Sequence, residues 1–543
     1  MSSKLFGRSS REWNPLTLAL LTALWIATAA NWPLWRALFA LPENASGRGA
    51  LFVLGFAGLI AALTLLLLAF AAWRHTIKPV AALLLIPAAA GAHFMGTYGV
   101  VIDPTMMTNV LQTNPTETRD LLSLRLLASL LVLAALPIAW MWRLRLRRLG
   151  PLAQGGRNLA AMIGALALGA ALLFAIFADL SATMRNHKSL RYLINPHNSF
   201  YALGVLAHQA NAKPAGPPLP IGQDATLAAR PAGAKPPLVL LVIGETARAD
   251  HFSLNGYERA TNPQLAKLDV VSFRDVSSCG TNTAASVPCM VSHLGREAYV
   301  ARERDQENLL DLAWRAGLAV LWLDNQAGCK GVCARVPNAM ATEGAPAALC
   351  SDGECLDEAL LHGLDARIAA LPAERRARGL LLVMHQMGSH GPAYWRRSPP
   401  DGKPFQPECE TNVLQQCERQ ALINAYDNSI AYTDRVLAGA IDWLRQQRAT
   451  FEPLMLYVSD HGESLGENGL YLHGLPYAVA PREQTHVAMV AWTPSTERRQ
   501  CLAAQRDAPL SHDHMFHTVA GALGIRASEY RAALDLFAAC RAP

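Results

Sequence analysis

Five long apolar stretches occupy the first third of the chain, and short aliphatic runs punctuated by polar turns occupy the rest. The apolar stretches run from Leu16 to Trp35, Ala50 to Ala72, Pro79 to Val101, Leu121 to Trp142 and Leu159 to Leu180. Each is close to the ~20 residues that a helix needs to cross a bilayer. Pro87 and His93 interrupt the third. The first carries Trp25 and Trp32 and lacks a small-residue cleavage site, so it is read as a span and not as a signal peptide. From Met184 to Ala210 apolar, aromatic and basic residues mix, which suits a helix lying along a membrane surface and equally an ordinary solvated connector. Ala212 to Pro237, rich in Pro, Ala and Gly, reads as a linker.

Beyond it the period changes. Leu238 to Ile243, Leu380 to Met384 and Leu454 to Val458 are continuous aliphatic runs, the pattern of strands buried on both faces. Helical stretches are expected at Leu309 to Ala316, Leu356 to Leu371 and Gln420 to Gln447. Such alternation predicts an open α/β domain with a central, mostly parallel sheet. The expected organisation is a transmembrane domain over 1–183, an interfacial helix and linker over 184–236, and a catalytic domain over 237–543.

Composition supports the division. Of 543 residues 51% are hydrophobic and only 17% charged, a balance typical of a chain with membrane segments. All ten cysteines lie at or beyond Cys279. They form the sequence-close pairs Cys279/Cys289, Cys329/Cys333, Cys350/Cys355 and Cys409/Cys417; Cys501 and Cys540 remain as the fifth pair, one the sequence leaves open. An even count confined to the soluble part indicates disulfides in an oxidising compartment. Zinc-finger ligation of Cys329 and Cys333 competes, but no matching Cys/His pair follows at finger spacing. The net charge of +6 is modest, and no block of basic residues interleaved with aromatics argues for nucleic acid.

Basic residues orient the spans instead. Lys4, Arg8 and Arg11 precede the first, Arg74 and Lys78 follow the second, and Arg143, Arg145, Arg147, Arg148 and Arg157 follow the fourth. The opposite loops carry Arg36, Arg48 and Arg119 only. Positive charge marks the cytoplasmic side, so five spans put everything after Leu180 outside, in agreement with the cysteines. Arg185, Lys188 and Arg191, just after the fifth span, run against the rule and suit anionic headgroups.

Candidate chemistry sits where the aliphatic runs stop. The first ends at Glu245, the second leads into His385 and His390, and the third into Asp460, His461 and Glu463. Open α/β sheets bind ligands beyond the carboxyl ends of their strands. Singly, each of these residues, and His473 in its Gly-flanked turn, reads as an ordinary loop residue. At consecutive strand ends they read as a site for zinc, or less readily manganese. The Cys279–Cys289 stretch offers the hydroxyls of Thr281, Thr283 and Ser286 in a loop opening into a turn or helix start; spacing does not choose among them, and a stapled surface loop is the plain alternative.

These motifs resemble those of the membrane phosphoethanolamine transferases that modify lipid A. The resemblance is carried by Gly244 to Tyr257, Cys279 to Met290, Gly328 to Cys333, His385 to Tyr394 and Ser459 to Tyr477, and in the membrane half by Met106 to Val110 with Glu117. It implies an alkaline-phosphatase/sulfatase-like domain facing the periplasm of a bacterium, anchored in the inner membrane as a multi-pass protein. By the match, Thr283 is the nucleophile. Glu245, Asp460 and His461, with the Thr283 oxygen, hold zinc. His390 and His473 bind substrate phosphate or a second zinc. Lys330, His385 and Glu463 line the pocket, and Glu117 lies near the lipid. Gln326-Ala327 stands where relatives often have Asn-Ser, a departure in a loop expected to meet the headgroup.

The implied donor is phosphatidylethanolamine and the implied acceptor a lipid A phosphate, with the phosphoethanolamine carried on Thr283 and polymyxin resistance as the consequence. Membrane lipids are the other expected partners, nucleic acid is not, and a monomer is the expected state. Alternatives are another periplasmic glycan acceptor, or a membrane-anchored phosphodiesterase or phosphatase. A non-catalytic lipid-binding protein predicts losses among the metal residues, and Glu245, Thr283, Asp460 and His461 are all present.

Overall fold

A computed structural model describes residues 12–113, 115–212, 216–351 and 353–540. These fall into two compact units, one holding the residues up to Met107 with Leu122–Leu206, the other Thr108–Leu121 with the chain from Ala207 onward.

Among the described residues of the first unit, five helices are long and apolar enough to cross a membrane: Pro15–Phe39, Gly47–Phe70, Ile77–Tyr98, Leu124–Arg143 and Pro151–Asn186. Pro87 does not break the third, which continues to Gly99 in a left-handed C-cap. The fourth passes through a π-turn at Leu131–Ala135 just ahead of Pro137, whose missing N–H frees a carbonyl from the regular ladder. The fifth begins at Pro151, earlier than the apolar stretch alone predicts, because proline at the first helical position favours initiation. Arg157 therefore lies inside that helix and not in the loop before it. A buried polar lock ties the unit together: Asn31 and Asn195 exchange hydrogen bonds of 2.6 and 2.9 Å, and the Asn195 amide donates to the Ala30 and Ala88 carbonyls. Phe174, Phe177 and Leu166 on the long fifth helix stay exposed, as an apolar surrounding requires. The stretch from Met184 is not one helix; a 3-10 segment at Lys188–Leu193 precedes a helix at His197–Ala212.

The second unit is built on a seven-stranded mixed sheet: β1 Pro237–Gly244, β2 Val271–Phe273, β3 Ala319–Asp324, β4 Asn338–Met340, β5 Leu380–His385, β6 Glu452–Ser459 and β7 Met489–Trp492. Their order across the sheet is β2-β7-β6-β1-β5-β3-β4. The five strands β6, β1, β5, β3 and β4 are parallel, and β7 runs against both its neighbours. The three aliphatic runs seen in the sequence are the central strands, buried on both faces. Register aligns their ends: Ser459 lies opposite Gly244, His385 opposite Ile243 and Asp324 opposite His385. Residues 245, 324, 385 and 460 therefore leave the sheet along one edge.

Helices Leu309–Arg315 and Arg419–Gln447 form as expected. The expected helix from Leu356 to Leu371 is instead a 3-10 segment, Asp357–Leu361, and a short helix, Leu364–Ala369, parted by Gly363 at φ 67°. Five disulfides join Cys279–Cys289, Cys329–Cys333, Cys350–Cys355, Cys409–Cys417 and Cys501–Cys540. Cys329 and Cys333 are thus spent on each other, which removes the zinc-finger alternative.

Candidate active site and metal centre

The chain between β2 and β3 carries Thr283, the candidate nucleophile. Asn282 is the N-cap of an eight-residue helix, Thr283–Met290, and its side chain accepts from the Ala285 N–H at 3.0 Å. Thr283 is thereby fixed at the first helical position, where free backbone N–H groups favour negative charge. Its Oγ1 donates to Glu245 Oε2 over 3.1 Å. The Gln326 amide donates to the same oxygen at 2.8 Å.

The other Glu245 oxygen, Oε1, meets Asp460 and His461. His461 Nε2 lies 3.2 Å from Glu245 Oε1 and 3.4 Å from Asp460 Oδ2. All three residues are buried, and their facing atoms lie within 4.8 Å of one another. Glu245 Oε1, Asp460 Oδ2 and His461 Nε2 have no hydrogen-bond partner among the described residues. Buried polar atoms are nearly always paired; three orphans converging on one point, two carboxylate oxygens and an imidazole nitrogen, fit a divalent ion such as zinc.

Charge in the cluster is consistent with that fit. Burial acts to raise the Glu245 carboxyl, but the His461 imidazole beside it brings it well below the usual range. Asp460 is raised, by burial and by the Glu245 charge. Burial acts to lower His461, but the Asp460 and Glu245 carboxylates outweigh it and raise it. Without a cation, two carboxylates share one imidazolium; a divalent ion held by the same three residues would supply the charge of that proton.

Around this core the remaining candidates form an outer ring. The His473 ring stands 4.2 Å from that of His461 and 5.9 Å from that of His390. His473 Nδ1 is 3.3 Å from Glu463 Oε1. Burial pushes His390 and His473 down to about 3, so both are neutral imidazoles at physiological pH, and burial raises the Glu463 carboxyl. His385 Nδ1 pairs with Asp324 at 3.1 Å, leaving its buried Nε2 without a partner among the described residues. Lys330 is set apart: its ammonium reaches the Ala327 carbonyl at 3.3 Å, and it lines a cleft of about 310 Å³ with Ala284, Tyr299 and Arg302. Glu117 lies on the helix Pro115–Leu121, and its side chain falls outside the described residues. Of the three hydroxyls, Thr281 donates to the Leu475 carbonyl and Ser286 to that of Asp460, so only Thr283 faces the carboxylate cluster.

Backbone strain is concentrated here. Thr246, Lys330 and Leu472, neighbours of or members of the site, take left-handed conformations at φ 52°, 50° and 63°. Gly388, at φ 52°, lies so near Glu245 that a Cβ there would stand 2.7 Å from the Glu245 carbonyl oxygen. Gly388→Ala is expected to cost about 1–3 kcal/mol through strain and to displace Glu245. A lowered Tm together with weakened metal binding is the expected result; unchanged values of both would refute it.

Three supporting residues are absent from the motifs. Asp324 accepts from Trp322 Nε1 and from the Gln326 and Gly328 N–H groups while it holds His385. Asp357 accepts from the Met387 and Gly388 N–H groups and from Asn325. His512 accepts from the Cys279 N–H at 3.0 Å and lies 2.9 Å from the Ser459 carbonyl, bridging the Cys279–Cys289 loop and the end of β6. Asp324 could have been found, since it too ends an aliphatic run; the others touch the site through backbone groups far away in sequence.

A sheet whose ligand-bearing loops face a helix-borne threonine defines a sulfatase-like enzyme, and the sulfatase family matches residues 237–525. The family described as phosphoethanolamine transferase EptA/EptB matches residues 60–210. Phosphoethanolamine transferase EptA of Escherichia coli K12 is 38% identical over 543 residues, 97% of this chain and 97% of that protein. Phosphatidylethanolamine transferase Mcr-1 of Escherichia coli is 40% identical over 522 residues, 94% of this chain and 95% of that one. Among solved structures, the integral membrane lipooligosaccharide phosphoethanolamine transferase A (EptA) of Neisseria meningitidis superposes with a TM-score of 0.90 at 33% identity, covering 97% of this chain and 99% of its own. This chain belongs to the EptA/EptB family of phosphoethanolamine transferases, with a membrane anchor and a sulfatase domain.

Proposed function

We propose that this transferase moves phosphoethanolamine from phosphatidylethanolamine to a phosphate of lipid A, with Thr283 as covalent carrier and zinc as the metal. The observation that carries this reading is the Thr283 hydroxyl, 3.1 Å from Glu245 beside three unpartnered ligand atoms. The phosphatidylethanolamine in one relative's name and the lipooligosaccharide in another's support the donor and the acceptor. Five disulfides and the Arg-rich cytoplasmic loop support a periplasmic domain on an inner-membrane anchor.

Glu245 Oε1, Asp460 Oδ2 and His461 Nε2 would hold the ion, which when bound supplies Lewis-acid charge that eases ionisation of a nearby hydroxyl and offsets phosphoryl charge. Glu245 Oε2 and the helix start orient the Thr283 oxygen for attack on phosphorus. A Thr283 O–P bond forms as the bond to the diacylglycerol oxygen breaks; the proton Thr283 gives up balances the one diacylglycerol gains. A lipid A phosphate oxygen then attacks the same phosphorus as the Thr283 O–P bond breaks, and the proton the lipid A phosphate gives up restores the Thr283 hydroxyl. His390 and His473 meet the phosphoryl oxygens, Gln326 and Glu463 border the headgroup, and Lys330 lines the adjoining cleft beside Ala284. Such displacement rests on positioning and charge more than on covalent chemistry by the protein.

Expression in a bacterium that makes unmodified lipid A, followed by mass spectrometry of the lipid, tests the reading. Phosphoethanolamine on lipid A with lowered polymyxin susceptibility is expected. Unchanged lipid A alongside released ethanolamine phosphate would instead identify a hydrolase, and modification of another glycan alone would move the acceptor.

A further inference from the structure

Residues 108–121 stand in sequence between two apolar helices, yet they pack as part of the catalytic unit. Near the end of this segment is Asp120, whose side chain is buried although it bears charge. Its partner is Arg397, with a side chain only 4% exposed. Arg397 Nη2 donates to Asp120 Oδ2 at 3.1 Å, Nη1 to Glu354 Oε2 at 2.7 Å, and Nε to the His390 carbonyl at 2.9 Å. Arg396 Nη1 is 3.4 Å from the other Asp120 oxygen, and the Asn412 amide donates to the Asp120 carbonyl at 2.8 Å.

One guanidinium therefore joins three segments: the 108–121 strap, the hairpin closed by Cys350–Cys355, and the loop that carries His390 into the site. A guanidinium is a rigid planar fork, so where two of its acceptors sit fixes where it can meet the third. Two carboxylates hold its Nη edge from different sides. With the Asp120 charge removed, the fork is free to turn toward Glu354, and its Nε–H leaves the His390 carbonyl. Among the described residues His390 Nδ1 has no hydrogen-bond partner, so the imidazole is placed by the His390 backbone and by its ring contact with His473.

We propose that Asp120 is a positioning residue for the transfer reaction, acting through Arg397 on His390. The inference rests on the reading of His390 as a group that meets the substrate phosphate. A mere tether would lower stability and leave turnover of the folded enzyme alone. A positioning residue lowers kcat/KM in a way that vanishes once His390 is gone.

The test is a double-mutant cycle on the full-length enzyme in lipid vesicles, with phosphatidylethanolamine as donor and lipid A as acceptor. Asp120→Asn keeps the shape and removes the charge; it is expected to lower kcat/KM about ten- to a hundredfold with metal content unchanged. Arg397→Lys keeps charge but loses the fork and should fall similarly, which guards against a folding defect peculiar to one variant. In a His390→Ala background, Asp120→Asn is expected to add little. Effects that multiply in full overturn the proposal, as does wild-type kcat/KM in Asp120→Asn. If His390→Ala alone matches the wild type, the reading of His390 fails and takes the proposal with it; wild-type transfer in the same assay reports separately on the proposed function.

Discussion

Thr283→Ala is expected to lower transfer at least about a thousandfold and to abolish the covalent adduct, with the fold and the metal intact. Position decides this. Thr281 and Ser286 are already committed to backbone carbonyls, so neither hydroxyl can stand in. The N-cap at Asn282 is independent of the Thr283 side chain, so the helix survives the change. The proposed ligands Glu245, Asp460 and His461 follow β1 and β6, and Glu245 keeps its hydrogen bond from Gln326 when that from Thr283 is lost. Thr283→Ser keeps the oxygen and loses the methyl that restricts its rotamer; part of the activity should remain. The measurement is mass spectrometry of the peptide holding residue 283 after exposure to donor without acceptor. An adduct on wild type and Ser but not on Ala is the expected result. Transfer that persists in Thr283→Ala would falsify the carrier role and leave direct transfer between lipids.

The reach of the sequence differs from element to element for physical reasons. β1, β5 and β6 are buried on both faces, so their aliphatic runs are unbroken and their ends fall unambiguously at Glu245, His385 and Asp460. β3 ends on Asp324 by the same logic, but a short apolar run of that kind is hard to separate from a buried helix segment. The stretch after Leu356 has helical spacing, and only Gly363 in a left-handed conformation divides it. The candidate nucleophile is a clearer limit. Cys279 to Cys289 offers three hydroxyls that local pattern treats alike; the choice is made by where Leu475, Asp460 and Glu245 lie, which is a property of the fold. His512 and Asp120 are further still from any motif. Both act by meeting backbone or guanidinium groups more than two hundred positions away, and no periodicity records such contacts.

The order of the outer ring also follows from burial. His390 and His473 are held neutral, with nitrogens available to accept. His461, in contrast, is kept cationic by two carboxylates when no metal is present. On the proposed reading, the site holds two neutral imidazoles suited to meet phosphate, and one whose proton a bound ion would have to displace. That contrast would govern how an ion binds.

Removing the metal, by a chelator or by His461→Ala, is expected to lower transfer on the order of a thousandfold, the loss of several kcal/mol of charge stabilisation. The pH dependence of metal binding has a definite sign. Asp460 and His461 both sit above their ordinary values in the metal-free site, so protons must leave before their atoms can coordinate. Affinity should therefore rise with pH through the neutral range, with about one proton released per ion bound near pH 7. Calorimetry in buffers of different ionisation heat measures that release directly. The metal-free fold behaves differently. His461, raised, contributes stability that is present at low pH and lost as pH climbs through its folded value. Glu245, lowered, contributes stability present above its unfolded value and lost as pH falls through its folded one. Their pairing thus supports the metal-free protein best at mildly acidic pH, between the unfolded carboxyl and imidazole values, and the raised Asp460 works against it as pH rises; the sheet and five disulfides lie outside this balance, so chelation should silence transfer without unfolding the domain. Binding that is independent of pH and releases no proton would mean that the ion does not take the place of the His461 proton, and the ligand assignment would have to be moved outward to His390 and His473.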